Sequence, residues 1–312
     1  MNNSKCPLCS LDTVELITSK VRFDFNANVM YCGNCTLTFL DQTSFKYPDD
    51  FYKTQYHQTY LTHVEPSAVD PEKYFEKMLK TTKIWADKLR PILQGNEKVL
   101  DFGCSAGHFM SLIKNNVREI HGFDLNEKEI LYCSEKIGLN ASTVPVEKRF
   151  APETFDVITM IFVLEHIGEP VSFLNYLKPF LKKNGKFIIL IPCIQDPLVS
   201  FYDIPEFRGF YYCIEHLFYY NKKTIQILFE KAGLKAKVEV VQEYPVTNHL
   251  NWGYRQKPSD VLASRKLVPD IALRNESDMT EWESFWVNVN RQYLEFLSKN
   301  NYGDRLWCEV SF

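Results

Sequence analysis

No apolar run in the 312-residue sequence approaches the ~20 residues that a membrane-spanning helix needs. The N-terminal stretch Met1-Asn2-Asn3-Ser4-Lys5-Cys6 lacks the apolar core of a signal peptide. There is no excess of positive charge: 36 Lys and Arg face 39 Asp and Glu, for a net charge of −3. Bulk attraction to nucleic acid or to an acidic membrane surface is therefore not expected. Internal repeats and low-complexity tails are absent, which excludes solenoids and disordered arrays. Hydrophobic residues make up 45% and charged residues 24%, as in an ordinary globular chain long enough for a substantial core. A cytoplasmic location is expected. There the nine cysteines are thiols or metal ligands rather than disulfides.

One further absence is informative. The chain has no Gly-x-Gly-x-x-Gly fingerprint of a dinucleotide site. In its place stands Val99-Leu100-Asp101-Phe102-Gly103-Cys104-Ser105-Ala106-Gly107-His108-Phe109. This reads as a buried strand, a turn of small residues and a helix start. Such a turn lets a ligand lie against the backbone. Gly122-Phe123-Asp124-Leu125 follows, a second strand ending in an acid placed to accept from a ribose diol. Asp101 at the head of the turn would repel a pyrophosphate but favour an ammonium or sulfonium.

The stretch resembles motif I of the class I S-adenosylmethionine-dependent methyltransferases, with Ser105 where many members carry a middle glycine. The resemblance continues in order. Phe155–Met160 is similar to the family's fourth strand and Val163–Ile167 to the segment after it. Leu177–Ile189 is similar to its helix, glycine turn and fifth strand. It implies an α/β fold with a Rossmann-like doubly wound sheet over residues 95–245. It also implies S-adenosylmethionine as cofactor, held by Asp101, Gly103, Cys104, Ser105, Gly107, Asp124, Leu125 and Met160, with residues 142–146 flanking the adenine. His166, after the fourth strand, is a candidate catalytic residue.

Cys6-Pro7-Leu8-Cys9 and Cys32-Gly33-Asn34-Cys35 form two knuckles with favourable turn residues. Two such knuckles complete a tetrahedral site, so residues 1–45 are expected to be a small zinc ribbon with structural Zn²⁺ on Cys6, Cys9, Cys32 and Cys35. An iron–sulfur centre is the alternative. The other five cysteines have no paired spacing and read as small buried residues. Residues 46–94 are expected to form an aromatic lid (Tyr52, Tyr56, Tyr60) and a linking helix from residue 71. Residues 246–312 read as a C-terminal extension covering an acceptor pocket, with a helix at 279–299. Asn248 and His249 are candidate acceptor contacts.

Within Phe210–Asn221, the neighbours Glu215 and His216 lie amid aromatics and suit a desolvated acid–base pair. This segment, together with the N-terminal cysteines, resembles bacterial deoxysugar methyltransferases, especially the nucleotide-sugar C-methyltransferases, over the region to about residue 240. The resemblance implies proton transfer by Glu215 and His216 and a nucleotide-linked sugar of surface-glycan pathways as substrate. O- and C-methylation both remain open. The rivals are a small-molecule O-methyltransferase for a quinone or antibiotic-like acceptor, an RNA methyltransferase, and a non-catalytic binding scaffold.

Overall fold

The structure, a computed structural model, describes residues 5–46, 65–269 and 279–312. The lid expected from Tyr52, Tyr56 and Tyr60 lies outside these residues. The chain divides into two compact units. The ribbon unit comprises Met1–Phe45, Ile191–Ile227 and Val238–Trp307; the sheet unit comprises Lys46–Leu190, Leu228–Lys237 and Cys308–Phe312.

In the ribbon unit, β1 (Val14–Val21) and β2 (Phe25–Cys32) pair as an antiparallel hairpin, with Val14 opposite Cys32. β3 (Thr38–Leu40) adds to β2. Pairing with the far-off β9 (Phe218–Tyr219) completes a sheet ordered β1-β2-β3-β9.

The sheet unit begins with α1 (Pro71–Leu89). Asp70 caps it through the Glu72 N–H, and Pro71 fixes the first turn. Phe75, Thr82, Trp85, Ala86 and Leu89 recur at helical spacing and are its buried stripe. The strands β4 (Lys98–Phe102), β5 (Glu119–Phe123), β6 (Asn140–Ser142), β7 (Phe155–Ile161) and β8 (Leu181–Pro192) pair in parallel. The helices α2 (His108–Ile113), α3 (Glu127–Glu135), α4 (Val146–Arg149) and α5 (Pro170–Leu177) are the crossovers. Val157–Met160 of β7 and Phe187–Ile191 of β8 are fully buried runs, apolar but for Thr159.

Beyond β8 come α6 (Pro197–Ser200), α7 (Pro205–Tyr211), α8 (Lys222–Lys231), β10 (Lys235–Val241), α9 (Val246–Arg255) and α10 (Met279–Lys299). The last element, β11 (Arg305–Ser311), lies between β10 and β8 in a sheet ordered β10-β11-β8-β7-β4-β5-β6. Within the tail read from sequence as an extension, the seven residues Arg305–Ser311 are a strand of the main sheet, burying Leu306, Trp307, Cys308 and Val310. The doubly wound α/β sheet and the cysteine-bearing ribbon are both present. Among the described residues no helix is long and apolar enough to cross a membrane.

The order reverses at β4, which has β5 on one side and β7 on the other. In open α/β sheets ligands bind beyond the carboxyl ends of the strands at this switch point. The Gly103–Gly107 turn leaves β4 there.

Candidate functional site

The turn after β4 takes its shape from three left-handed residues. Gly103 and Gly107 have φ of +80° and +83°, and Ser105 has φ of +50°. A Cβ on Gly103 would come within 2.4 Å of Val163 Cγ2, and one on Gly107 within 2.4 Å of Cys133 Sγ. The N–H groups of Gly103 and Cys104 donate to the Phe123 carbonyl at 2.7 and 3.0 Å, tying the turn to the end of β5. The Ser105 N–H donates to Asp124 Oδ2 at 2.8 Å, and the Asn126 N–H to Asp124 Oδ1 at 3.0 Å. Asp101, Gly103, Ser105, Gly107 and Asp124 are therefore brought together as the sequence implies. Leu125 is 44% exposed beside them.

The Cys104 side chain is buried beneath the turn, close enough to Gly122 that a Cβ there would lie 2.6 Å from its sulfur. Met160 has no exposed surface and lies in β7 in register with Ile189. Strand alternation turns it away from the face used by its neighbour Thr159, whose hydroxyl donates to Asp101 Oδ1 at 2.6 Å.

The electrostatics favour a cation. Burial pushes the Asp101 carboxyl up to about 7, with the Asp124 charge adding to the effect. An ammonium or sulfonium near Asp101 would stabilise the ionised form that burial disfavours. Buried Glu129 of α3, which the sequence reading missed, accepts from Ser105 Oγ at 2.5 Å. Tyr74 of α1 packs edge-on to His108, with ring centroids 6.2 Å apart. Burial raises the Tyr74 hydroxyl well above its ordinary range, reinforced by Glu129, Glu65 and Asp124. Burial lowers the His108 imidazole to about 4 against the pull of Glu129. These groups fit a positively charged ligand with a polar diol.

His166 closes the short turn Leu164–His166 after β7, its N–H donating to the Val163 carbonyl at 3.0 Å. Its Nε2 is 4.0 Å from Oε1 of the buried Glu165. It belongs to the sheet unit, whereas Glu215 and His216 belong to the ribbon unit. There the Cys213 thiol and the Glu215 and His216 side chains place their polar atoms within 4.8 Å of one another. Tyr219 pins this segment: its hydroxyl accepts from the Cys213 N–H at 2.8 Å and donates to the Cys213 carbonyl at 3.1 Å. Burial, then the Glu215 charge, pushes the Cys213 thiol well up, so it is a neutral neighbour. His249, a candidate acceptor contact, is buried between the Tyr293 hydroxyl and Gln242. Burial lowers its imidazole to about 3, and Asn248 beside it is buried too. Both read as packing groups.

The four ribbon cysteines converge. Cys6 and Cys35 sulfurs are 3.5 Å apart, and Cys9 and Cys32 sulfurs 3.6 Å apart, with all four within 4.8 Å of one another. Sulfurs at the ~2.3 Å zinc–thiolate distance in a tetrahedron lie about 3.8 Å apart, so the set fits Zn²⁺. Each knuckle ends in a left-handed residue, Ser10 at φ +64° and Thr36 at φ +72°. Burial pushes the Cys6 thiol up to about 11. At Cys32 the backbone N–H groups of Cys35 and Asn34 outweigh burial and bring it down to about 6.

A family model described as a methyltransferase domain matches residues 60–239, more than half of the chain. A tRNA U34 carboxymethyltransferase of Nautilia profundicola is 26% identical over 50% of this chain and 58% of its own length. A ubiquinone biosynthesis O-methyltransferase of Stutzerimonas stutzeri is 27% identical over 33% of this chain and 46% of its own. The chain thus spans about half the length of the curated relatives it matches. A solved structure of a SAM dependent methyltransferase from Archaeoglobus fulgidus is 20% identical, covering 76% of this chain and 97% of that one with a TM-score of 0.47. With the loop at the switch point of a doubly wound sheet and the family match across it, the chain belongs to the methyltransferase-domain family, of the class I S-adenosylmethionine-dependent type.

Proposed function

We propose that the protein transfers a methyl group from S-adenosylmethionine to a sugar, nucleotide-linked, in bacterial surface-glycan or deoxysugar biosynthesis. The observation that carries the cofactor half is the buried Asp101 carboxyl, raised to about 7, at the head of a turn whose N–H donates to Asp124. The cofactor, when bound, supplies a methyl group activated on a sulfonium. Asp101 orients the ammonium, Asp124 accepts from the ribose hydroxyls, and the Gly103–Gly107 turn admits the ligand to backbone contact. The sugar half rests on the Cys213-Ile214-Glu215-His216 segment, carried in the same unit as the cysteine ribbon. His216 takes the acceptor's proton as base and Glu215 holds the charge that forms. His166 is the second candidate base. Structural Zn²⁺ on Cys6, Cys9, Cys32 and Cys35 folds a segment too small for its own core.

A second reading follows from the relatives' names: a small-molecule O-methyltransferase with a quinone-type acceptor. The tRNA-modifying relative adds an RNA acceptor. One assay separates them. Purified protein with methyl-labelled cofactor is offered a panel of nucleotide sugars, hydroxylated quinone precursors and tRNA, and S-adenosylhomocysteine release is followed. Label in a nucleotide sugar is the expected result, and label only in a quinone or in tRNA would overturn the sugar assignment.

A further inference from the structure

We propose that Glu129 is a positioning residue for the cofactor turn, acting through Ser105; this rests on reading that turn as the S-adenosylmethionine site. Ser105 occupies the left-handed region at φ +50°, which glycine adopts without strain and a residue with a Cβ does not. Its two left-handed neighbours in the turn are glycines. What serine adds there is a hydroxyl, and that hydroxyl donates to Glu129 Oε2 at 2.5 Å. The backbone N–H of the same residue donates to Asp124 Oδ2 at 2.8 Å. One residue therefore joins an acid of α3 to the acid that receives the ribose.

Glu129 is an expensive residue to place here. It is 2% exposed, on the inward stripe of α3 beside Ile130 and Cys133. A carboxylate is seldom so buried unless hydrogen bonds hold it. An acid three residues after the cap Asn126 does suit the positive end of a helix. That role is open to an exposed side chain and does not require burial. The bond to Ser105 does require it, because α3 packs against the turn. A bond this short holds the serine hydroxyl in one rotamer. Fixing the Ser105 side chain fixes the peptide that presents the N–H to Asp124. Glu129 thus sets the orientation of the ribose-binding carboxylate without touching the cofactor.

The test uses Glu129→Gln, Ser105→Ala and the double variant, with S-adenosylhomocysteine binding measured by calorimetry on the full chain. Each single variant is expected to bind about ten-fold more weakly, the loss of one hydrogen bond. The double variant is expected to bind no more weakly than Ser105→Ala alone. In turnover, KM for the cofactor rises and kcat at saturation stays. Thermal midpoints of the three variants show whether they fold, and Ser105→Ala probes the bond from the surface side if Glu129→Gln unfolds. Glu129→Gln binding like wild type, or losing affinity equally in both Ser105 backgrounds, overturns the positioning role. Failure of wild type itself to bind overturns the cofactor reading and this proposal with it.

Discussion

Arg22 and Glu215 form a buried ion pair within the ribbon unit, Nη1 to Oε1 at 3.7 Å, with side-chain exposures of 13% and 6%. Arg22 follows β1 of the hairpin that carries the cysteines, and it is held at three further points. Its Nε donates to the Phe210 carbonyl at 2.5 Å, its guanidinium lies 4.1 Å from the Phe210 ring centre, and its backbone N–H donates to the Tyr212 carbonyl at 2.7 Å. The ribbon therefore supports the segment that bears the proposed acid–base pair.

Removing one member of such a pair leaves the other charge buried. Arg22→Met, which keeps the apolar stem, is expected to destabilise the protein by about 3 kcal/mol in urea unfolding. Adding Glu215→Gln should restore most of that loss, because the orphaned charge is gone. A double variant no more stable than Arg22→Met would show that the two groups are not coupled.

Asp101 ties stability to pH in the opposite sense from a salt-bridged acid. Its folded value, about 7, lies above the ordinary 3.8. Between these values the native state keeps a proton that the unfolded chain has released, so ligand-free stability falls as pH rises. Asp101→Asn should raise the thermal midpoint of the ligand-free protein at pH 8 and leave it unchanged near pH 4. The same variant should weaken cofactor binding about ten-fold and remove its increase between pH 6 and 8. A wild-type affinity independent of pH over that range would contradict the pairing of Asp101 with a cationic group.

The cysteine cluster is expected to carry one zinc ion per chain by metal analysis. Cys6, Cys32 and Cys35 are buried, yet all four thiols should become reactive to a thiol reagent after strong chelation, as the hairpin loosens. Cys32→Ser should lose the metal. Full zinc content in that variant would place the ion elsewhere.

The strands and crossovers of the sheet were legible because β7 and the second half of β8 carry apolar runs, and small residues mark the turn after β4. The strand β11 was not legible, since its partners β8 and β10 are distant in sequence and no local pattern announces that pairing. Side-chain direction is harder to read: Cys104 and Met160 are both buried, and in a strand such as β7 a one-residue step decides which face a side chain occupies. Glu129 carries no motif or spacing of its own in the sequence. Only the folded turn shows Ser105 within its reach. Asp124 and the four ribbon cysteines needed no such help, because their spacing alone placed them.

Two glycines separate turn geometry from general strain. Gly103→Ala puts a Cβ into Val163 at φ +80° and should abolish measurable cofactor binding. Gly138→Ala, at φ +72° with nothing within 4 Å, should cost about 1 kcal/mol of stability and leave binding intact. Equal effects of the two on binding would argue against the turn as a ligand cradle.

The most direct measurement is calorimetric titration of wild type and Asp124→Ala with S-adenosylhomocysteine. The account predicts one site per chain for wild type and at least a ten-fold loss of affinity for the variant, whose ribose hydroxyls lose their acceptor. Equal binding by the two proteins, or none by wild type, would contradict the assignment of the β4–β5 end of the sheet as the cofactor site.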